Sequence, residues 1–597
     1  MKKILLIVLS SFIIISLCNA QVTDKKPLEI ARMVADNIVD NTIFSYQYVV
    51  QPIYSDAEII DFGNTYGTVS PAVAYAISTI YSDVEQKETI EVGHTDGLKI
   101  WVNDKLVYNK LGNRKLNIVV DEKTYSLPEK FEVSLNKGEN NILIKSECSG
   151  GTESWQVVLQ SPNMGSYAVK NKKIICSLKK YAPAVTLTNW LVLGPFENSV
   201  LEGNLQGMNT VYEPEKELKL FNLYKSGNKT FTWNISHINI IAENPDAGKL
   251  YNWSYHVGGV VWGLQRLSQI TKIQKYNDYA ARWCEYMLST IPLVEYQTKT
   301  LLAVRSLNWG IAGRPMLDYT TAPSLPFITR LVYEKEFDKR VEYKQYAEKI
   351  MYYIMNEQFR LPDGVLARKY TASPSVWVDD MFMGLPYMLF SAEYVNNPAV
   401  KQKIYDDVSN QVIQFNKYLY DKDIMLYHQA AYANKPEVKI PYWSRGNGWA
   451  IWAVSEVLLH LPKNHKNYST ILALYRDHVS GLAKVQDRDG YWRNILNIPE
   501  TVRESSGTAI FTMAIARGIN QGWIDKKKYA HVVENGWKAL TSFIDAKGNL
   551  SGVKGGTNFS PDPEDYAKTP IIKNDTHGIL PLLFACFEMD QYYRQRF

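Results

Sequence analysis

The chain has 597 residues, which is too long for one ordinary domain, so the sequence predicts at least two hydrophobic cores. Its formal charge of +5 at pH 7 is close to balance and argues against nucleic acid as the main partner. The five cysteines form no CxxC pair and no zinc-ligand spacing, so no metal is expected, and the sequence leaves open whether Cys148 pairs with Cys176.

Residues 1–20 have the pattern of a secretory signal peptide, in which two lysines precede an apolar run over 4–17 and Ala20 is a small residue for cleavage. We therefore predict an exported protein, with the periplasm as its compartment and secretion as an alternative. A surface lipoprotein anchored through Cys18 is a further alternative, although the bulky Leu17 disfavours it. No later segment predicts a membrane span.

Helical periodicity opens the remaining chain and is then replaced by alternation. Residues 27–40 place apolar side chains on one helical face. From about 45 to 235, alternating segments such as 97–104 and 141–145 are separated by turns, which predicts a β-sandwich.

After about position 250 the helical pattern returns. The predicted helical runs cover about 256–270, 274–290, 320–333, 343–358, 380–395, 401–419, 446–461, 466–486, 505–521, 525–543 and 575–593. With the helix at 27–40 they number twelve, enough to close a ring of six helix pairs. We predict a mainly α protein, an (α/α)6 barrel with an N-terminal or inserted β-sandwich. The predicted limits are 1–20 for the signal peptide, 21–44 for the first barrel helix, 45–240 for the sandwich and 241–597 for the barrel.

A polar or aromatic cluster recurs at the start of every second predicted helix. The clusters are residues 253–256, 317–319, 377–380, 443–449, 504–506 and 574–578. Such helices would point their N-termini at one mouth of the ring, where their partial positive charge favours an anionic ligand. We predict the active site at this mouth.

Two adjacent acids, Asp379 and Asp380, precede an apolar helix. One acid suffices to cap a helix, and Trp377 is an apolar neighbour that raises a carboxyl pKa, so we expect one acid to cap and the other to act in catalysis. Asp318 opens another inner helix and would help to keep Asp379 protonated across the mouth. Capping or a loop turn is the alternative for each acid.

The segment 443–449 favours substrate binding over a structural loop. Arg445 is predicted to present a fork to a carboxylate, Trp443 and Trp449 to offer flat faces to a sugar ring, and Gly446 and Gly448 to permit close approach of the backbone.

Four further candidates have ordinary structural alternatives. His428 precedes this segment, and a single histidine is more often a structural hydrogen-bonder. Arg368 and Lys369 would lie on the loop before Asp379, or form a solvated basic pair. His577 would reach the mouth from the last helix, and capping of that helix by Asp575 is the competing interpretation of its cluster. With no GxSxG, P-loop, GxGxxG or HExxH motif, acid catalysis on a sugar without a cofactor is what the residues favour.

Together, residues 377–383, 443–449, 504–509 and 577–578 resemble glycoside hydrolase family 105, the unsaturated rhamnogalacturonyl hydrolases; the related family 88 is a poorer match. The resemblance covers about 250–597 and the helix at 27–40. It implies an enzyme that removes a Δ4,5-unsaturated uronic acid from the non-reducing end of lyase-generated oligosaccharides. Asp379 would protonate C4, and water would add at C5.

The family's proton donor carries over to Asp379, and its second aspartate to Asp318. The residues that it implies for sugar contacts are Trp377, Trp443, Arg445 and Trp449, with His428 and Tyr255 as weaker correspondences. Relatives often have His before Lys where this chain has Arg368-Lys369, and this difference leaves the exact substrate open. The sequence also leaves open the parent polymer and the linkage.

Two rival interpretations remain. Asp318 and Asp379 would form a conventional hydrolytic pair on saturated uronides, or the chain would bind glycans without catalysis. The β region resembles sugar-binding sandwiches over 96–103 and 189–196, although its alternation is equally typical of a packing role.

Overall fold

The computed structural model describes residues 25–50, 57–66, 72–82, 84–112, 114–116, 119–120, 125–127, 129–149, 155–160, 175–177, 190–197, 225–226, 229–230, 233–235, 240–244, 251–299, 307–313, 316–334, 340–369, 373–435 and 437–595. The predicted signal peptide lies outside them, as does the side chain of Cys176. By their contacts the chain divides into two units, one formed by Ser45–Pro245 with Pro292–Gly313, the other by Met1–Phe44, Asp246–Ile291 and Arg314–Phe597.

The second unit is helical. Its long helices are α1 Pro27–Val39, α2 Tyr255–Thr271, α3 Gln274–Lys299, α4 Leu325–Tyr333, α5 Val341–Tyr352, α6 Asp379–Tyr394, α7 Pro398–Leu419, α8 Ser444–His460, α9 Tyr468–Lys484, α10 Ser505–Asn520, α11 Lys526–Ser542 and α12 Thr576–Arg594. A 3₁₀ turn at Leu317–Tyr319 and another at Ala322–Ser324 precede α4, and a π-helical turn at Tyr353–Glu357 follows α5. Short helices lie at Gly310–Gly313, in the first unit, and at Pro563–Lys568.

The even-numbered helices form the inner ring. Each of them contacts the next even helix, and α12 contacts α2, so the ring is closed. The odd helices pack outside, with α1 against α12 and α2 although it precedes the β region in sequence. This arrangement confirms the predicted (α/α)6 barrel. Among the described residues, no helix combines the length and apolar character needed to cross a bilayer.

Inner helices approach closely at their N-terminal ends because glycines stand there. A Cβ on Gly258 of α2 would lie 2.6 Å from the backbone of Pro323, and one on Gly448 of α8 would lie 2.6 Å from Ile510 Cδ1 on α10. Contacts this short exclude a side chain. These glycines therefore set the spacing of the ring around the mouth.

The first unit is built mainly of antiparallel strands, and its described part also contains short helices at Phe62–Tyr66 and Gly310–Gly313. The strands are β1 Gln47–Val50, β2 Ala57–Asp61, β3 Ala72–Ser82, β4 Gln86–His94, β5 Leu98–Val102, β6 Lys105–Lys110, β7 Val119–Val120, β8 Tyr125–Ser126, β9 Glu129–Leu135, β10 Gly138–Cys148, β11 Gln156–Gln160, β12 Ile175–Ser177, β13 Leu191–Glu197, β14 Lys225–Ser226, β15 Lys229–Thr230, β16 Trp233–Ile235 and β17 Ile240–Glu243.

Two larger sheets of this unit share one hydrophobic core. One sheet has the order β16-β13-β3-β10-β5-β6, with β12 also paired to β3, and the other has the order β2-β11-β4-β9. The register places Ile144 opposite Ile100 in the first sheet, and both are buried in the same cluster as Val92 and Val157 of the second sheet. Apolar residues facing inward from both sheets are what a β-sandwich requires, as predicted.

Three short ladders in the barrel unit position residues of the mouth. Their strands are β18 Ser375–Trp377, β19 Tyr420–Asp421, β20 Leu426–Tyr427, β21 Ala430–Tyr432, β22 Val553–Lys554 and β23 Ile571–Ile572. The β18–β21 pair sets Trp377 opposite Ala430, directly before α6 begins.

Candidate active site

The two acids at the start of α6 have different environments. Helix α6 begins at Asp379, and no side chain caps it at Val378, so the expectation that one acid acts as a cap is wrong. Asp380 is buried and accepts hydrogen bonds from Arg368, from Nε at 2.9 Å and from Nη2 at 2.6 Å. Asp379 is also buried, but its Oδ2 has no hydrogen-bond partner among the described residues. The pair therefore consists of one neutralised carboxylate and one solitary carboxyl.

The pKa of Asp379 lies in the neutral range. Burial, helped by the negative charges of Asp318 and Asp380 and opposed by Arg368, raises it to about 7. An acid whose pKa lies near the working pH is suited to donate a proton and to take one back.

Asp318 lies in the 3₁₀ turn before α4, where Trp253 Nε1 donates to the carbonyl of Tyr319 at 2.8 Å and fixes the turn. Arg368 Nη2 donates to Asp318 Oδ1 at 3.2 Å while it also holds Asp380. One guanidinium thus links two carboxylates on neighbouring inner helices or turns and leaves the third, Asp379, unpaired.

Arg368 itself is buried, and its guanidinium stacks 4.3 Å from the ring centroid of Trp377. Trp377 is anchored in turn by a hydrogen bond from Nε1 to Ser375 Oγ at 2.9 Å, and its ring meets that of Phe559. The expectation of a substrate contact or a solvated basic pair at Arg368 does not fit this burial. Its charge is already engaged by two aspartates.

The N-terminus of α10 carries a buried anion that sequence reasoning left without a role. Glu504 caps the helix by accepting from Gly507 N at 2.7 Å, and its Oε1 accepts from Lys554 N at 3.1 Å. Arg445 lies 3.8 Å away and completes an ion pair. The sequence signal for this was the cluster Glu504-Ser505-Ser506 itself.

Two histidines stack at the same mouth. His256, in the first turn of α2, has its ring centroid 4.2 Å from that of His577, in the first turn of α12. The ring of Tyr255 lies 5.3 Å from His577 and 6.1 Å from Trp449. Burial raises the pKa of Tyr255, and the charges of Arg445, Asp318 and Asp379 also act on it.

A family model now decides the affiliation, since it matches residues 229–593 and is described as Glycosyl Hydrolase Family 88. The chain belongs to this family. This match confirms the predicted resemblance to the related glycoside hydrolase families 105 and 88, of which the motifs had favoured family 105.

Individual relatives are more distant. A Formosa agariphila protein named unsaturated 3S-rhamnoglycuronyl hydrolase is 31% identical over 194 residues, covering 31% of this chain and 51% of that protein. An Alteromonas protein of the same name is 37% identical over 150 residues, which is 25% of this chain and 35% of its own length. The chain thus spans about half or less of these two relatives. The Bacillus subtilis unsaturated rhamnogalacturonyl hydrolase YesR is 26% identical over 327 residues, covering 54% of this chain and 84% of that protein.

Among solved structures, a Salmonella enterica protein described as a possible member of the GH105 family is 20% identical with a TM-score of 0.50, covering 60% of this chain and 86% of that one. At this identity the likeness concerns the fold.

Within this family member, most of the segment 443–449 is helical. Helix α8 begins at Ser444, and Gly448 serves helix packing. Arg445 is fully buried, and its Nη1 donates to Lys554 O at 2.7 Å and to Ser506 Oγ at 3.1 Å, while Nη2 donates to Gly555 O. The fork predicted for a substrate carboxylate is therefore occupied by the protein's own backbone.

The two tryptophans of this segment are core residues. Trp449 is fully buried and stacks on Phe382, with ring centroids 4.7 Å apart. Trp443 packs in a cluster with Ile495 and Tyr566 and has Arg445 over its ring at 4.6 Å. Neither ring offers the open sugar-stacking face that we predicted, because aromatic periodicity alone does not distinguish a platform from a core.

Two other predicted residues lie apart from the acids. Lys369 is exposed, with its ammonium 4.6 Å from the ring of Phe359. His428 stacks on Tyr442 at 4.4 Å, its Nδ1 hydrogen-bonds to the carbonyl of Ile440, and burial lowers its pKa. The structure gives neither a contact with Asp379 or Asp318.

Next to His428, a residue that we did not predict contacts the segment directly before α6. Gln429 is fully buried and accepts a backbone hydrogen bond from Val378 N at 2.8 Å. Its side-chain oxygen accepts from the hydroxyl of Tyr566, whose pKa is raised by burial and, to a lesser degree, by Asp379. Its Nε2 has no partner among the described residues and is available as a donor beside the start of α6.

Proposed function

We propose that this protein removes a Δ4,5-unsaturated uronic acid from the non-reducing end of oligosaccharides produced by polysaccharide lyases. The observation that carries the proposal is Asp379, a buried carboxyl with an unpaired oxygen and a pKa raised to about 7 by burial. The printed names of the curated relatives, unsaturated rhamnogalacturonyl and rhamnoglycuronyl hydrolases, support the same substrate class.

The reaction begins with a proton. Asp379 protonates C4 of the enol ether, which moves positive charge to C5, where the ring oxygen stabilises it. Water adds at C5 and gives its proton to the Asp379 carboxylate, which restores the acid. The hemiketal then opens, the bond to the former glycosidic oxygen breaks, and the shortened oligosaccharide leaves with that oxygen. The net change consumes one water.

The distribution of charge supports this role for Asp379 among the three acids. Arg368 donates hydrogen bonds to both Asp318 and Asp380, so these two carboxyl groups have a cationic partner and Asp379 does not. Their negative charges favour the protonated form of Asp379. The arrangement therefore favours one protonated carboxyl group in the site, that of Asp379.

This arrangement argues against the two rival functions. A conventional glycosidase needs a second carboxylate as nucleophile or base, whereas Asp318 is engaged by Arg368. A protein that only binds glycans has no use for a buried carboxyl without a partner, which costs stability.

We also propose that the enzyme acts after export, most simply in the periplasm, on the strength of the signal-peptide pattern in residues 1–20. N-terminal sequencing of protein from the native host tests this proposal: a mature chain beginning at Gln21 supports it, and retention of Met1 contradicts it.

The function is tested by the ultraviolet absorbance of the C4=C5 double bond. We expect the absorbance of lyase-generated oligosaccharides to disappear as the shortened oligosaccharide is released, with no turnover of matched saturated uronides. Asp379→Asn should abolish the change, while Asp525→Asn, which replaces one exposed helix cap by an equally good one, should behave as wild type. Release of saturated uronides at a comparable rate would instead support the conventional pair.

A further inference from the structure

The proposed substrate carries a carboxylate, but Arg445, which we predicted to bind it, is engaged by the protein itself, and so is the neighbouring candidate Arg368. Arg445 donates to the carbonyls of Lys554 and Gly555, and Arg368 is shared between Asp318 and Asp380. Arg445 keeps only its buried Nε without a hydrogen-bond partner among the described residues, so an anion in the mouth needs donors beyond this one N–H.

The paired histidines each have a ring nitrogen that is available to bind an anion. His577 Nδ1 donates to Asp575 Oδ1, and His256 Nδ1 is hydrogen-bonded with Thr576 Oγ1, so both rings are fixed at the start of α12. Neither Nε2 has a hydrogen-bond partner among the described residues. A Cβ on Gly556 would lie 3.9 Å from Nε2 of His577, so a glycine leaves room beside this nitrogen.

The surroundings of the pair make it neutral until an anion arrives. Burial lowers the pKa of both rings, and each is affected by its charged neighbours: Arg445 lowers both values, His577 lowers that of His256, Asp575 raises both, and Glu504 raises that of His577. Because the rings are 4.2 Å apart, two positive charges would repel strongly, and only one proton is expected on the pair.

We propose that His256 and His577 bind the carboxylate of the terminal unsaturated uronate through their Nε2 atoms, and that the pair takes up one proton as the substrate binds. This assignment rests on the hydrolase function proposed above, which supplies the carboxylate. The ring of Tyr255 lies beside both histidines, with its centroid 5.0 Å from that of His256 and 5.3 Å from that of His577. The proton compensates the charge of the carboxylate in a buried site, which a neutral pair does not do.

This arrangement separates two pH effects. Substrate binding weakens about tenfold per pH unit above the pKa of the free pair, because binding takes up a proton and the proton concentration falls tenfold per unit. The chemical step depends on Asp379 instead. The pH dependence of KM thus reflects the protonation of the histidine pair, and the pH dependence of kcat reflects the protonation of Asp379.

The test is calorimetry on full-length Asp379→Asn protein, which binds without turnover, titrated with a Δ4,5-unsaturated uronyl disaccharide in two buffers of different ionisation enthalpy. We expect uptake of about one proton at pH 7.5. His256→Asn and His577→Asn keep a donor on the Nδ1 side and remove Nε2, and each should weaken binding about 30-fold and abolish the uptake. The methyl ester of the same disaccharide serves as the uncharged control, and its affinity should change little.

A second pair of variants guards against misfolding. His256→Gln and His577→Gln keep a neutral donor near the Nε2 position, so they should retain more affinity than the Asn variants but show no proton uptake. Binding without proton uptake, with unchanged affinity in all four variants, would overturn this inference and leave the proposed function intact. If wild-type protein fails to remove the double bond and the disaccharide does not bind, the proposed function and this inference are both wrong.

Discussion

Arg368 and Asp380 form a buried pair in which Nε and Nη2 both donate to the carboxylate, at 2.9 and 2.6 Å. Both side chains are almost fully enclosed, so each neutralises a charge that the barrel interior does not otherwise tolerate. The same guanidinium reaches Asp318, and this sharing leaves Asp379 as the only one of the three acids without a cationic partner in the described site.

Removal of this arginine should therefore affect stability first. Arg368→Met preserves an apolar side chain against Trp377 but leaves the buried charge of Asp380 without a cationic partner. We expect a loss of about 3–5 kcal/mol in the free energy of unfolding. Adding Asp380→Asn should recover a large part of that loss, since the stranded charge is gone. Guanidinium denaturation of both variants measures this; a double variant no more stable than the single one would show that packing, and not charge, is what Arg368 supplies.

The rate of the chemical step should fall at alkaline pH. Asp379 works in its protonated form, and burial raises its pKa to about 7, so kcat should decrease about tenfold per unit above that pH. Full pH–rate profiles on an unsaturated disaccharide measure it. A kcat that stays flat to pH 9 would mean that another group donates the proton.

The same carboxyl should cost stability at high pH. Its folded pKa of about 7 lies above the unfolded value of 3.8, so the native state binds the extra proton and loses stability as pH rises between these values. Asp379→Asn should therefore be more stable than wild type at pH 8, by at most about 4 kcal/mol, and nearly equal at pH 4. Melting temperatures at both pH values provide the measurement, and equal gains at both would exclude ionisation as the cause.

The sequence predicted the barrel well because the relevant information is local. Helical periodicity and polar clusters at helix starts repeat along the chain, and the closed ring follows from their order. Asp379 and Asp318 were found in the same way, since an acid before an apolar run is visible within a few residues.

The roles of several site residues depend on partners far away in the sequence, and these could not be predicted from local patterns. From the sequence, Arg445 resembles an exposed fork. In the structure it donates a hydrogen bond to Lys554 O, which lies more than one hundred residues later in the chain. The contact of Tyr566 with Gln429 spans 137 positions, and no local pattern marks it. Buried and exposed arginines or tryptophans have the same sequence appearance, so their burial has to be observed.

The glycines at the mouth give a prediction about packing. Gly448→Ala adds a Cβ 2.6 Å from Ile510 Cδ1, and we expect a destabilisation of about 1–3 kcal/mol, despite the better helix propensity of alanine. Ile510→Val removes Cδ1, so it should recover stability in the Gly448→Ala background while destabilising the wild type. A double-mutant cycle by chemical denaturation measures the coupling, and additive effects would contradict the proposed contact.

The opposite end of the barrel gives a prediction about pH and stability. A cavity of about 560 Å³ lies there, at the C-terminal ends of the inner helices, and His460, Glu393, Glu456 and Arg517 line it. Arg517 Nη1 donates to Glu456 at 2.7 Å, and His460 is hydrogen-bonded with Glu393. Burial alone would lower the pKa of His460, but its bonds to Glu393 and Glu456 outweigh burial and raise it to about 9.

A histidine whose pKa is raised on folding stabilises the protein while it is protonated. This contribution is fully present below the unfolded value of 6.5 and is lost as pH rises through about 9, with an upper limit of about 3 kcal/mol. We expect the stability of His460→Gln to lie well below that of wild type at pH 6, and the difference to shrink at pH 9.5. The exposed His531→Gln serves as the control and should follow wild type throughout. A constant deficit at both pH values would assign the role of His460 to packing, because a lost ion pair must depend on the proton.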